Sequence, residues 1–208
     1  MKHTEIIEAL KWRYAVKAFD TTKKVSEEDV AAIVESGRLA PSAFGLEPWK
    51  FILVKNPEIR QKLRAAGYDQ PKIADASHLV VIAARTDGTA VADSLIARTA
   101  AAQGKSLEDL AGFQGMVSGA VAAHSQSWFD AQTYIPLGMM METASMLGVD
   151  NAAMEGFDPA AVGEILGLEA KNLKAVTMLA LGYRSEDDAY AALPKVRQAY
   201  DEVVEVIE

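Results

Sequence analysis

Hydrophobic and polar residues alternate along this chain with a period that changes from segment to segment, and each change marks an element. Ile6, Ile7 and Leu10 share one side of a first helix that Thr4 can cap. Ser26 with Asp29 forms a capping pattern, and Val30, Ile33, Val34 and Gly37 follow at helical spacing until Ala40-Pro41-Ser42 stops them. The Phe, Ile and Val of 50–55 read as a strand, and Asn56-Pro57 opens the next helix by cap and first-turn proline. Leu79-Val80-Val81-Ile82 predicts a strand buried on both faces. From Thr89 to about Ala123 the chain is Ala-rich and helical, with a break near Gln103-Gly104-Lys105. A long helix is expected from about Ser127 to Leu147, with Pro136 near its start or at a kink. Asp158-Pro159 opens a short helix, and 175–181 is another buried strand.

This alternation places the chain in the α+β class, with many helices around a modest sheet. The 208 residues show no repeat, linker or low-complexity stretch, so a single domain over 1–208 is expected. The segment 134–147 is apolar almost all round, which in so short a chain points to a second subunit. The β-prone tail Val203-Val204-Glu205-Val206-Ile207 has no hairpin partner.

Composition narrows the chemistry. Twenty-one Lys and Arg against 29 Asp and Glu leave a formal charge of −8, which argues against nucleic acid or an anionic membrane as partner. With no cysteine, thiolate zinc sites, iron–sulfur clusters and cysteine nucleophiles are excluded. The three histidines have no metal spacing, and Rossmann, P-loop and nucleophile-elbow motifs are missing. No run approaches the ~20 apolar residues of a membrane helix, and the first residues lack a signal peptide's apolar stretch, so a cytoplasmic location is expected. Two basic pairs, Arg13 with Lys17 and Lys195 with Arg197, read either as solvated surface charge or, if they converge, as an anion site.

Four segments in order resemble the nitroreductase family of FMN-dependent NAD(P)H oxidoreductases. Arg13-Tyr14-Ala15-Val16-Lys17-Ala18-Phe19 is similar to the family's early R-x-S-x-K/R-x-F segment. Ala40-Pro41-Ser42-Ala43-Phe44-Gly45-Leu46-Glu47-Pro48-Trp49 resembles A-P-S-S-x-N-x-Q-P-W. Met154-Glu155-Gly156-Phe157 follows the apolar helix, and Gly182-Tyr183 precedes Leu193-Pro194-Lys195-Val196-Arg197. A fifth, partial likeness is Lys72-Ile73-Ala74-Asp75-Ala76-Ser77.

The resemblance implies a nitroreductase-like fold: a central, mostly antiparallel sheet surrounded by helices, in a homodimer with FMN at the subunit interface. It implies that 198–208 pack on the partner subunit, exchanging a C-terminal strand. Arg13, Lys195 and Arg197 would neutralise the phosphate. Lys17 and Lys72 would lie near the N1–C2=O edge of the flavin, and the backbone of Glu155-Gly156 at N5. Tyr14, Ala15, Asp69, Gln132, Ala153 and Met154 are implied as further cofactor contacts, and Phe113 as a residue that could stack on substrate. Pro41, Ser42, Ala43 and Gly45 would reach the partner's FMN. The chain departs from the pattern where Ala15 replaces Ser, Gly45 replaces Asn and Glu47 replaces Gln. The implied activity is ping-pong hydride transfer from NADH or NADPH to nitroaromatics, quinones or flavins. An FMN-storage protein, a specialised flavin-dependent dehydrogenase or dehalogenase, and a ligand-free helical dimer are the competing readings.

Overall fold

Four strands form one antiparallel sheet in the order β1-β2-β4-β3. They are β1 (Trp49–Leu53), β2 (His78–Arg85), β3 (Asp150–Met154) and β4 (Leu173–Gly182). This computed structural model describes residues 2–208. β2 and β4 are central and almost wholly buried, as their apolar runs require. β1 and β3 are the edges.

Side chains alternate across the sheet and so divide two cores. Leu79, Val81, Ala152, Met178 and Ala180 face one layer, with Val16, Phe19, Leu63, Ile73 and Val162. That layer holds α3 (Pro57–Ala66), the one-turn α4 (Lys72–Asp75) and α9 (Pro159–Leu166). Val80, Ile82, Leu179 and Leu181 face the other layer, against Val30 and Ile33 of α2 (Glu27–Arg38) and Leu137, Met140 and Ala144 of α8 (Tyr134–Met146). Gly37 of α2 lies against Met140, whose methyl would collide with any Cβ there. A smaller cluster of Leu46, Val91, Leu95 and Val117 joins α5 (Gly88–Gln103) and α6 (Ala111–Ala123).

The three polar caps form where the sequence places them. Ser26, Asn56 and Asp158 each accept from a backbone N–H of the first helical turn. Two expectations are corrected. α1 spans His3–Trp12, so Thr4 lies inside it, and Glu5 instead accepts from the Lys2 N–H at 2.9 Å. The long helix is two helices, α7 (Gln126–Gln132) and α8, which meet at Thr133; Pro136 falls in the first turn of α8, where no intrahelical bond is lost. β3 has no propensity signal and is created by its register with β4, Asn151 opposite Leu181 and Met154 opposite Met178. The tail is not a strand within this chain: α10 covers Tyr200–Val203, and 204–208 are exposed and irregular. Tyr134, Ile135 and Leu147 of the apolar helix are exposed in the single chain, while its other side is buried. Among the described residues no helix is long and apolar enough to cross a membrane.

Candidate functional site

After α1 the chain runs extended beside the sheet, and Ala15 bridges Asn151 of β3. One carboxylate organises this run. Asp188, 4% exposed, accepts from the Lys17 N–H at 2.8 Å, the Ala18 N–H at 3.2 Å, the Tyr14 hydroxyl at 3.0 Å and the Tyr190 N–H at 3.0 Å. Burial alone would raise its pKa, but these donors outweigh burial and hold it below the usual carboxylate range.

The C-terminal stretch closes over the same run. Lys195 donates to the carbonyls of Leu10 at 2.8 Å and Lys11 at 2.7 Å, and to that of Arg13, so its ammonium caps the end of α1. Arg184 pairs with Asp150 while its guanidinium lies 4.4 Å from the Trp12 ring centroid and 4.6 Å from that of Tyr14. Between these walls lies a cleft of about 480 Å³ lined by Arg13, Tyr14, Lys17, Arg184, Tyr190, Lys195 and Arg197. The pKa of Arg13 is lowered by burial and then by the charge of Arg197, so the two guanidinia face one space. That of Lys195 falls for the same reasons, burial first and then Arg13, Arg197 and Arg184.

The ring of charge continues inward. Lys72 is 8% exposed, and its pKa is depressed by burial and by nearby Lys17. Arg60 holds the short helix that carries it, donating to the carbonyls of Ile73, Ala76 and Ser77. Among the described residues, none of Arg13, Lys17, Lys72, Lys195 and Arg197 is in an ion pair. In a chain of net charge −8, such a concentration of cations without carboxylate partners makes the cleft locally positive, chemistry that suits an anion. Gly156 belongs to the loop after β3. Its φ is not left-handed, and a Cβ there would meet only the amide of Gln70, at 3.5 Å. The polypeptide itself does not require glycine at this position. Tyr134 comes to the same loop: burial and then a hydrogen bond with Glu155 push its hydroxyl up to about 12.

A second group assembles separately. The Pro41–Gly45 turn is pinned by the Ala43 N–H donating to Gln132 at 2.8 Å and by the Glu47 N–H donating to the Ser42 hydroxyl at 2.7 Å. Phe44 and Gly45 both have positive φ, 56° and 76°. Among the described residues no hydrogen bond or ion pair joins this turn to the basic cleft. Ala153 packs half-buried in the α2–α8 layer and Met154 in the opposite layer, so both lie in the sheet's cores. Phe113 packs half-buried on the α5–α6 cluster. Asp69 is exposed, 3.9 Å from Arg64.

The sequence profile of the nitroreductase family matches residues 10–183. This chain belongs to the nitroreductase family. The nitroreductase profile includes Arg13, Lys17, Lys72 and Gly156 and stops before Lys195 and Arg197. A Staphylococcus epidermidis protein named "Putative NAD(P)H nitroreductase" is 38% identical, with 98% of this chain and 97% of the relative covered. A Staphylococcus aureus protein of the same name is 37% identical over 96% of this chain and 94% of its own length. In structure, a nitroreductase-like protein of Streptococcus mutans superposes with a TM-score of 0.86, all of both chains covered, at 19% identity. A putative nitroreductase of Exiguobacterium sibiricum, solved in complex with FMN, superposes at 0.79 over 100% of this chain and 98% of that one, at 20% identity. The expected fold class is therefore the observed one, and family membership makes the chain an oxidoreductase.

Proposed function

We propose that this chain is an NAD(P)H-dependent FMN oxidoreductase that reduces small, flat, electron-poor acceptors such as nitroaromatics, quinones or free flavin. The observation that carries the reading is the convergence of unpaired Arg13, Lys17 and Arg197 on one cleft, continued inward by buried, unpaired Lys72. These residues fit a monophosphate with a polar, electron-accepting ring behind it. Arg13 and Arg197 would hold the phosphate through charge-assisted hydrogen bonds. Lys17 and Lys72 would place positive charge where the reduced ring gathers negative charge. Gly156, with no Cβ, lets the backbone come close to a flat ring. Lys195 acts one step back, holding the end of α1 so that Arg13 faces the cleft. FMN, when bound, would supply hydride acceptance and donation at N5. Donor and acceptor would take turns at one face, the basis of ping-pong kinetics.

Arg13→Ala should weaken FMN binding by roughly 30- to 150-fold, the loss of about 2–3 kcal/mol from a charged hydrogen-bonding partner. Fluorescence titration of FMN into the stripped protein measures this, and unchanged affinity would remove Arg13 from the site. Bleaching of the yellow protein by NADH or NADPH under argon, then recolouring by an acceptor, tests the activity; a colourless protein that ignores added FMN overturns it.

The second group, Pro41–Gly45 with Gln132, is assigned to a partner subunit's FMN, and the tail to the partner's sheet. Among the described residues the outer edge of β1 has no strand partner, and a groove of about 660 Å³ beside it is floored by Val30, Val34, Phe51 and Leu53. An added strand would satisfy that edge. Removing 203–208 should therefore weaken self-association, read as a lower sedimentation coefficient at micromolar concentration. An unaltered coefficient would refute the assignment.

A further inference from the structure

Glycine at 156 opens space for a ring, but it also makes the loop soft, because a glycine peptide rotates with little steric resistance. One side chain opposes that softness. Gln70 donates from its Nε2 to the carbonyl of Gly156 at 2.6 Å and to that of Gly67 at 2.9 Å. Both neighbours are acceptors, so the amide has only one productive orientation, with its two N–H groups on the two carbonyls. Gln70 is the one side chain that hydrogen-bonds to the backbone of 155–157 among the described residues.

The pinning extends through the loop. The Phe157 N–H donates to the Glu155 carbonyl at 2.8 Å, so fixing the Gly156 carbonyl fixes both peptide planes of the turn. The Asp158 N–H donates to the Ala66 carbonyl at 2.9 Å, a second stitch at the end of α3, where the 67–70 loop begins. That loop is itself strained: Tyr68 and Asp69 are consecutive non-glycine residues at φ 55°. It persists because the Gly67 and Asp69 N–H groups are anchored on Leu63 and Arg64 of α3. Its product is the placement of Gln70 on the Gly156 carbonyl, two residues before Lys72.

We propose that Gln70 is a positioning residue for the reaction: it holds the Glu155-Gly156-Phe157 backbone in the one orientation that serves hydride transfer. The inference rests on the FMN reading above. Its test compares Gln70→Glu, of the same shape but with acceptors facing two carbonyls, with Gln70→Lys, which keeps a donor. In FMN-stripped protein, amide hydrogen exchange over 155–157 should accelerate by about tenfold or more in Gln70→Glu, the behaviour of a locally opened loop, and stay near wild type in Gln70→Lys. In the yellow holoprotein, single-turnover reduction by NADH or NADPH should slow by roughly 10- to 100-fold in Gln70→Glu with KM little changed, as for a misplacement of about 1 Å. Gln70→Lys should retain most of the rate. If Gln70→Glu does not fold, Gln70→Met, uncharged and without donors, takes its place. Unchanged exchange and unchanged reduction in a yellow Gln70→Glu overturn the proposal while leaving the FMN reading intact. A Gln70→Lys as slow as Gln70→Glu overturns it too, since the donor would not matter. A wild type that never takes up FMN defeats both readings at once.

Discussion

Asp188→Ala should destabilise the protein by about 3 kcal/mol or more and abolish retention of FMN. Its carboxylate accepts from three backbone N–H groups and one phenol, and almost no water reaches it to replace them. A buried donor left without a partner costs about 1–3 kcal/mol, and several are orphaned together here. Two of those N–H groups belong to Lys17 and Ala18, so the run that carries Arg13 and Lys17 loses its anchor. Urea unfolding gives the stability change, and the colour of the purified protein gives the second effect. A loss under about 1 kcal/mol, or a yellow variant, defeats the prediction. The pH dependence follows the same bonds. The folded pKa lies below the unfolded value of about 3.9, so this stabilisation is fully present above that pH and is lost as pH falls through the folded pKa. Asp188→Asn should accordingly flatten the stability curve below about pH 4.

The second large effect is asymmetric. Asp150 is 3% exposed and accepts from the backbone N–H and the guanidinium of Arg184, whose side chain is 25% exposed. Removing either partner breaks the same pair, at a cost of about 3–5 kcal/mol for a buried one. The residue left behind sets the size. Asp150→Ala leaves a guanidinium that keeps some water and two aromatic faces, so the loss should fall near the low end. Arg184→Met leaves a carboxylate almost without water, with one backbone N–H still donating to it, so the loss should be greater. The double variant should recover part of it, because no unpaired charge remains. Thermal unfolding of the three variants decides this. Equal losses, or a larger one for Asp150→Ala, would contradict the account.

What could be read from the sequence was local. Ser26, Asn56-Pro57 and Asp158-Pro159 declare helix starts because a cap acts within three residues. β2 and β4 declare themselves because a strand buried on both faces must be apolar throughout. The break at Thr133 left no trace, since 127–147 carries helical residues on either side of it. β3 left none either, because Asp150-Asn151-Ala152-Ala153-Met154 is a strand only through β4. The basic residues of the cleft and their convergence were legible only through a family likeness; spacing alone left two separate basic pairs. Lys195 shows why a residue type does not settle a role: its charge lies in the cleft while its hydrogens are held by α1 carbonyls. Asp188 sits in Ser185-Glu186-Asp187-Asp188, which reads as a solvated acidic run, and only the fold reveals one member turned inward. Arg184, Asp150 and Gln70 had no local signal, for their partners are 34 or 86 residues away.

The bonds from Asp188 to Tyr14 and from Lys195 to Leu10 join residues 174 and 185 positions apart. A ribosome adding about 5–20 residues per second therefore emits Arg13 many seconds before the side chains that will hold it in place. For most of that interval the growing polypeptide also lacks β4, a central strand, so neither the sheet layers nor the pocket can be finished. Loading of the prosthetic group accordingly waits on the late residues Asp188 and Lys195, and a polypeptide truncated before Asp188 would emerge unable to acquire it.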